Sequence, residues 1–195
     1  QIDSAVNVEL VNIISDSLII SIIAGKKIGE LKKITKNKNK TVRAMTNTPV
    51  SLGMGTSILF FDKKINKKDK ILAKEFLALV GQVNEARNES IIDTFTAIYG
   101  SGPAYIFLMI ETLIKISSKA GLKNSENMVI QTFLGSLLLL MSEKHDATML
   151  RKKVTSKGGT TQAALSILNS NKGLPDLLSR AINKARKRSI DLSNN

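Results

Sequence analysis

The sequence predicts an α/β half followed by an all-helical half. Two observations carry this. Up to residue 88, short β-branched runs alternate with stretches of helical spacing, the pattern of βαβ units around a parallel sheet. From about Asn88 onward, apolar residues fall at helical spacing almost throughout. The switch sets the expected domains, residues 1–88 and residues 89–195. A chain of 195 residues has room for one or two domains. Its 43% hydrophobic content, at a mean hydropathy of +0.02, is enough for a packed core.

Each element has its own signal. Residues 2–14 read as an amphipathic helix with Asp3 or Ser4 as N-cap. Residues 18–23 form an apolar β-rich run that suits a strand buried on both faces. A short helix is expected over 28–34 and a strand over 41–45, stopped by Asn47-Thr48-Pro49. A third strand spans 56–61, a helix 67–79, and a weaker strand 81–85. In the helical half, Pro103 suits the first position of a long helix running to about 119 and closed by Gly121. Further helices are expected over about 125–143, capped by Asn124 or Ser125, and over 147–153, 160–168 and 175–192.

Composition narrows the chemistry. There is no cysteine, so no disulfide or thiolate chemistry, and one histidine, so no multi-histidine metal site. No metal ligand set is proposed. The longest apolar run, 133–141, falls short of a span of about 20 residues, and 104–116 is interrupted by Glu111 and Lys115. No signal-peptide pattern is visible, which makes a cytoplasmic location the default expectation. The net charge of +13 raises nucleic-acid binding as a class. The lysines are spread along the chain, however, and no aromatics interleave with the basic loop 36–40 to stack bases. That composition disfavours a nucleic-acid partner.

The segment richest in chemistry is Val154-Thr155-Ser156-Lys157-Gly158-Gly159-Thr160-Thr161, with a helical pattern starting directly after it. Adjacent glycines let a ligand approach the backbone. A helix N-terminus adds unpaired N–H donors and partial positive charge. Together they suit a small anion. The same residues also read as a hydroxyl-rich helix cap behind a glycine turn. Ala24-Gly25 and Met45-Thr46-Asn47-Thr48-Pro49 lie just past strand ends, where open α/β sheets bind ligands. Asn47 and Thr48 serve a turn before Pro49 equally well. Tyr99-Gly100-Ser101-Gly102-Pro103-Ala104-Tyr105 leads into the long helix and suits either ligand approach or tight packing. Glu143 and His145 fall near a helix end, His145 better placed as a surface residue than as a base. No G-x-G-x-x-G follows a strand and no P-loop occurs.

Four of these segments, in this order, resemble the pyrroline-5-carboxylate reductase family. Ile20–Gly25 is similar to its SIAAG strand end, Arg43–Pro49 to its R-x-M-P/T-N-T-P segment, Gly100–Tyr105 to GSGPAY, and Val154–Thr161 to V-x-S-P-G-G-T-T. Lys157, Tyr99 and Ile23 depart from the usual proline, serine and alanine. The resemblance implies the C-terminal part of a Rossmann-type parallel-sheet domain plus a helical dimerisation domain. It implies reduction of 1-pyrroline-5-carboxylate to L-proline with NADPH or NADH, in a homodimer or higher homo-oligomer. It places Thr161 beside the ring nitrogen as the catalytic residue. Ser156 and the N–H groups of Gly159 and Thr160 would hold the substrate carboxylate, with Val154, Gly158 and Glu143 around it. Ala24, Gly25, Asn47, Thr48 and Pro49 would line the cofactor. Family members carry further N-terminal residues with the glycine fingerprint for the pyrophosphate, and the chain starts at Gln1 with no first strand before it. The expectation is therefore weak NADPH binding or none, and an aggregation-prone sheet edge. The alternatives are a non-catalytic remnant that keeps only the dimerisation core, and a basic nucleic-acid-binding protein.

Overall fold

The computed structural model describes residues 17–35, 39–143 and 146–193. The expected helix over 2–14, the centre of the basic loop and His145 lie outside these residues. The chain forms two compact units, one from the described parts of Gln1–Pro103 with Ile182–Asn195, the other from Ala104–Ala181.

Among its described residues the first unit has four strands, in the order β1 (Leu18–Ser21), β2 (Lys40–Met45), β3 (Gly55–Phe61) and β4 (Gly81–Glu85). Between them lie α1 (Ile28–Ile34), a 3₁₀ turn (Thr48–Leu52) and α2 (Lys67–Ala78). β1 stops two residues before the expected end, because the Ser21 hydroxyl accepts the Ile23 N–H at 3.4 Å and turns the chain out. α2 starts where its sequence dictates, with the Asn66 side chain accepting the Asp69 N–H at 2.8 Å. The sheet is mixed rather than uniformly parallel. β1 pairs parallel with β2 and β3 with β4, but β2 and β3 run antiparallel. The cause is length. Only residues 46–54 connect β2 to β3, and a parallel crossover needs a dozen or more.

Two apolar clusters flank the sheet. Val42, Ala44, Leu59 and Phe61 pack with Ala73 and Leu77 of α2. Met45, Ile58 and Ala86 pack with Ile92 and Phe95 of α3 (Ile91–Phe95). At the end of β4, Lys74 hydrogen-bonds Glu85 and, with Lys70, holds that carboxyl below the usual carboxylate range.

α3 continues through a π-helical turn (Thr96–Gly100) into α4 (Gly102–Lys119). Pro103 therefore sits inside a continuous helical stretch rather than at a fresh start. Proline lacks an N–H and crowds the carbonyl four residues back, here that of Tyr99. The ladder widens, and the Ser101 N–H reaches back five residues to the Thr96 carbonyl at 2.8 Å. By length and composition alone, Ile91–Lys119 would reach across a membrane. Its Asp93, however, is buried and paired with Arg43 of β2 in the first unit.

The second unit is helical: most of α4, then α5 (Ser125–Ser142), α6 (Ala147–Lys153), α7 (Thr160–Leu168) and the start of α8 (Leu174–Leu192). No strand occurs among the described residues of 101–190. The compositional switch near residue 88 marks the change from strands to helices, while by compactness the chain parts after Pro103.

A buried ionic group ties the first unit together. The Arg43 side chain is 1% exposed; its Nη2 donates to Asp93 Oδ1 at 3.3 Å, and Nη1 lies 3.5 Å from Glu89 Oε1. Ser189 of α8 donates its hydroxyl to the same Asp93 oxygen at 2.9 Å, and Glu89 Oε1 accepts the Ile28 N–H at 2.7 Å. Removing one partner from such a pair strands a buried charge. Asp93→Ala is expected to cost about 3–5 kcal/mol in urea unfolding, and the double variant Arg43→Met/Asp93→Leu far less. A double variant as costly as the sum of the two single changes would contradict this account.

Candidate functional site

The first group of candidate residues follows the carboxyl ends of two neighbouring parallel strands. β1 ends beside β2 with Ser21 opposite Arg43, and β2 runs on to Met45. Ala24 and Gly25 leave the first strand and Thr46 to Pro49 the second, where open α/β sheets receive ligands. Ala24 and Thr48 are exposed. Asn47 is already committed: its Oδ1 accepts the Thr56 N–H at 2.9 Å, and its Nδ2 donates to the Tyr99 carbonyl at 3.2 Å. That carbonyl is the one Pro103 releases from the helical ladder. Asn47 thus locks the turn after β2 to β3 and to the π-helical turn. Pro49 is the second residue of the 3₁₀ turn. At Gly25 the close approach is made by the chain itself. With φ at +78°, an added Cβ would lie 2.9 Å from Cβ and O of Leu192 in α8. A groove of about 380 Å³ in this unit, lined in part by Thr56, Phe95 and Tyr99, reaches the partners of Asn47 rather than the strand ends.

These residues put small and polar groups at parallel strand ends, where open α/β sheets receive nucleotide-type ligands. For the pyrophosphate end, the chain offers no G-x-G-x-x-G.

The second group lies in the helical unit. Gly158 has φ +73°, and Gly159, at −81° and 169°, is the N-cap of α7. At Gly159 an added Cβ would sit 2.4 Å from the Ser156 hydroxyl oxygen, which would have to rotate away. The Gly159 N–H is bound to the Ser156 carbonyl at 3.1 Å, and the Gly158 N–H to Gln162 Oε1 at 2.5 Å. The Gly159 N–H expected to face a carboxylate is therefore spent within the turn. Helix geometry leaves the N–H groups of Thr160, Thr161 and Gln162 without intrahelical acceptors, and the first bond to the cap carbonyl comes from Ala163. Ser156 and Thr160 are exposed and Thr161 half-buried. Lys157 and Val154 are exposed. Glu143, at the C-cap of α5, is in an ion pair with Lys153 at 3.3 Å. The arrangement can bind a small anion through three backbone donors, one serine hydroxyl and the dipole of α7.

Sequence reasoning passed over Arg43 and Gln162. The signal for Arg43 was a lone charge between Val42 and Ala44 in a buried strand, with carboxylates at 89 and 93 spaced one helical turn apart. The signal for Gln162 was its third position in a helix capped by a residue without a side chain.

Fold and site define the class: a nucleotide-binding type of α/β unit with ligand-suited strand ends, in one chain with a helical unit that presents an anion-suited helix start. Comparison with known proteins narrows it. The family model for pyrroline-5-carboxylate reductase dimerisation matches residues 89–192. A pyrroline-5-carboxylate reductase of Pseudomonas aeruginosa is 34% identical over 180 residues, 91% of this chain and 66% of that protein. Pyrroline-5-carboxylate reductase 1 of Bacillus subtilis is 34% identical over 90% of this chain and 59% of its own length. The solved pyrroline-5-carboxylate reductase of Coxiella burnetii aligns at a TM-score of 0.87 and 35% identity, covering 99% of this chain and 72% of that one. The pyrroline carboxylate reductase of Plasmodium falciparum with NADP bound aligns at 0.88 and 32% identity, covering 98% and 77%. The chain belongs to the pyrroline-5-carboxylate reductase family. It spans less than two thirds of the length of the Pseudomonas and Bacillus relatives.

The glycine turn yields a stability test. Gly158→Ala forces a side chain into the left-handed region and is expected to lower unfolding free energy by about 1–2 kcal/mol. Gly135→Ala, inside α5 with open space around it, is expected to be neutral or to stabilise by up to about 1 kcal/mol. Equal effects in urea titrations would show that the turn has another conformation in solution.

Proposed function

We propose that this chain carries the substrate seat and the nicotinamide-facing strand ends of an enzyme that reduces 1-pyrroline-5-carboxylate to L-proline. The observation that carries the proposal is the start of α7, where the N–H groups of Thr160 and Thr161 have no intrahelical acceptor and the Ser156 hydroxyl oxygen lies against the cap residue Gly159, an arrangement suited to a carboxylate. Family membership supports the reading. Bound NADPH or NADH supplies the hydride for the C=N carbon, and the residues after β1 and β2 suit its nicotinamide end. Ala24 and Gly25, Thr48 and Pro49 form that side, with Asn47 fixing the turn. The carboxylate seat orients the ring, Gly158 and Val154 shape its edge, and Glu143 stands near it. The Thr161 hydroxyl hydrogen-bonds the ring nitrogen, which enters protonated as the iminium and becomes a neutral amine when the carbon takes the hydride. Its contribution is greatest at the transition state. The reaction is placed in the cytoplasm, as an NAD(P)H-dependent step on a small metabolite.

A homodimer, or a higher homo-oligomer built from it, belongs to the same proposal. α4 exposes Ile106, Phe107, Leu108 and Ile116, and α5 exposes Leu134, Leu137, Leu138 and Met141, many of them more than half exposed. Apolar surface of this extent marks an interface. Sedimentation at micromolar concentration is expected to give a dimer or larger, and a stable monomer contradicts it.

The catalytic roles separate in steady-state kinetics, measured on the chain joined to its cofactor-binding N-terminal part. Thr161→Val keeps the shape and removes the hydroxyl, and kcat/KM is expected to fall about 10- to 1,000-fold. Ser156→Ala is expected to raise KM with kcat nearly unchanged, because the carboxylate is bound alike in ground and transition states. Near-normal kcat/KM for Thr161→Val would remove Thr161 from the mechanism.

A further inference from the structure

The turn that forms the anion seat has little to hold it. Its cap, Gly159, has no side chain to offer the free N–H groups of the helix. Gly158 stands at φ +73° with nothing within 4 Å of the position a Cβ would take, so packing does not fix it. Lys157 is exposed, and a residue other than proline leaves φ unlocked there. One side chain crosses the turn: Gln162, at the third position of α7, folds back so that its Oε1 accepts the Gly158 N–H at 2.5 Å. This is the glutamine half of a capping box, directed one residue further back than usual.

We infer that Gln162 is the positioning residue of the anion seat. Its side-chain carbonyl holds the glycine turn and takes the Gly158 N–H away from the ligand. With the Gly159 N–H bound to the Ser156 carbonyl, the donors left for a carboxylate are the N–H groups of Thr160, Thr161 and Gln162 beside the Ser156 hydroxyl. The Gln162 bond therefore selects which N–H groups a ligand meets. Without it, the Gly158 N–H is freed and the turn gains conformers, so the Ser156 hydroxyl and the helix-start N–H groups no longer keep one arrangement. The inference rests on the reading of this helix start as a carboxylate seat, and its test separates the two.

The test is amide NMR on the 195-residue chain with L-proline as probe. Gln162→Met keeps length and apolar stem and removes the acceptor. Hydrogen exchange at Gly158 is expected to quicken by about 10-fold, and L-proline, read at the Thr160 and Thr161 amides, to bind about 3- to 10-fold more weakly. Gln162→Glu, which retains an acceptor of the same reach, is expected to keep Gly158 protected. Unchanged Gly158 exchange in Gln162→Met overturns the inference, and so does lost protection with unchanged L-proline affinity. If L-proline leaves the Thr160 and Thr161 amides of the unaltered chain unmoved, the carboxylate reading fails instead, and the exchange comparison alone decides whether Gln162 holds the turn.

Discussion

The first unit depends on a guanidinium that water cannot reach. Arg43 stands in the second strand, between Val42 and Ala44, with its charge inside the protein. Isolating such a charge is prohibitive, so its partners must come to it. Asp93 brings α3, Ser189 brings the end of α8, and Glu89 brings the start of α1 through the Ile28 N–H. Arg43 Nε and Nη1 make no hydrogen bond among the described residues. Such a group adds little net stability relative to an apolar replacement. What it supplies is position. Three segments far apart in sequence converge on the strand whose carboxyl end carries the turn Thr46–Pro49.

A second constraint acts through the backbone. Pro103 cannot donate, the Tyr99 carbonyl is released, and the Asn47 amide takes it up. The same amide group accepts the Thr56 N–H, so the turn after β2 is pinned on both sides. A helix irregularity and a strand-end asparagine thus form one device. The ligand-facing groups left over are the exposed Thr48 and the backbone around Ala24. Gly25, which the sequence suggested as a point of ligand approach, is required first by Leu192 of the chain's own last helix.

Much of this was legible in the sequence, and the reasons are local. Helices α1, α2 and α5 to α7 fall where glycine, proline, asparagine and helical spacing punctuate the chain, because those signals act over a few residues. The direction of β3 was not legible from alternation alone; it follows from the nine-residue link, too short for a crossover. The Arg43 group was hidden because Asp93 is 50 residues from Arg43 and Ser189 a further 96 away. The anion seat was visible as a motif, but not the sharing of its donors. That the Gly159 N–H is spent on Ser156 and the Gly158 N–H on Gln162 depends on turn geometry that no periodicity encodes.

The central claim is that a carboxylate sits at the start of α7. A crystal structure of the protein with L-proline tests it most directly. The account predicts the carboxylate within hydrogen-bond distance of the Ser156 hydroxyl and the N–H groups of Thr160 and Thr161, with the ring nitrogen facing the Thr161 side chain. L-Proline bound elsewhere, or a carboxylate held instead by the Gly158 N–H with Gln162 swung away, would contradict it.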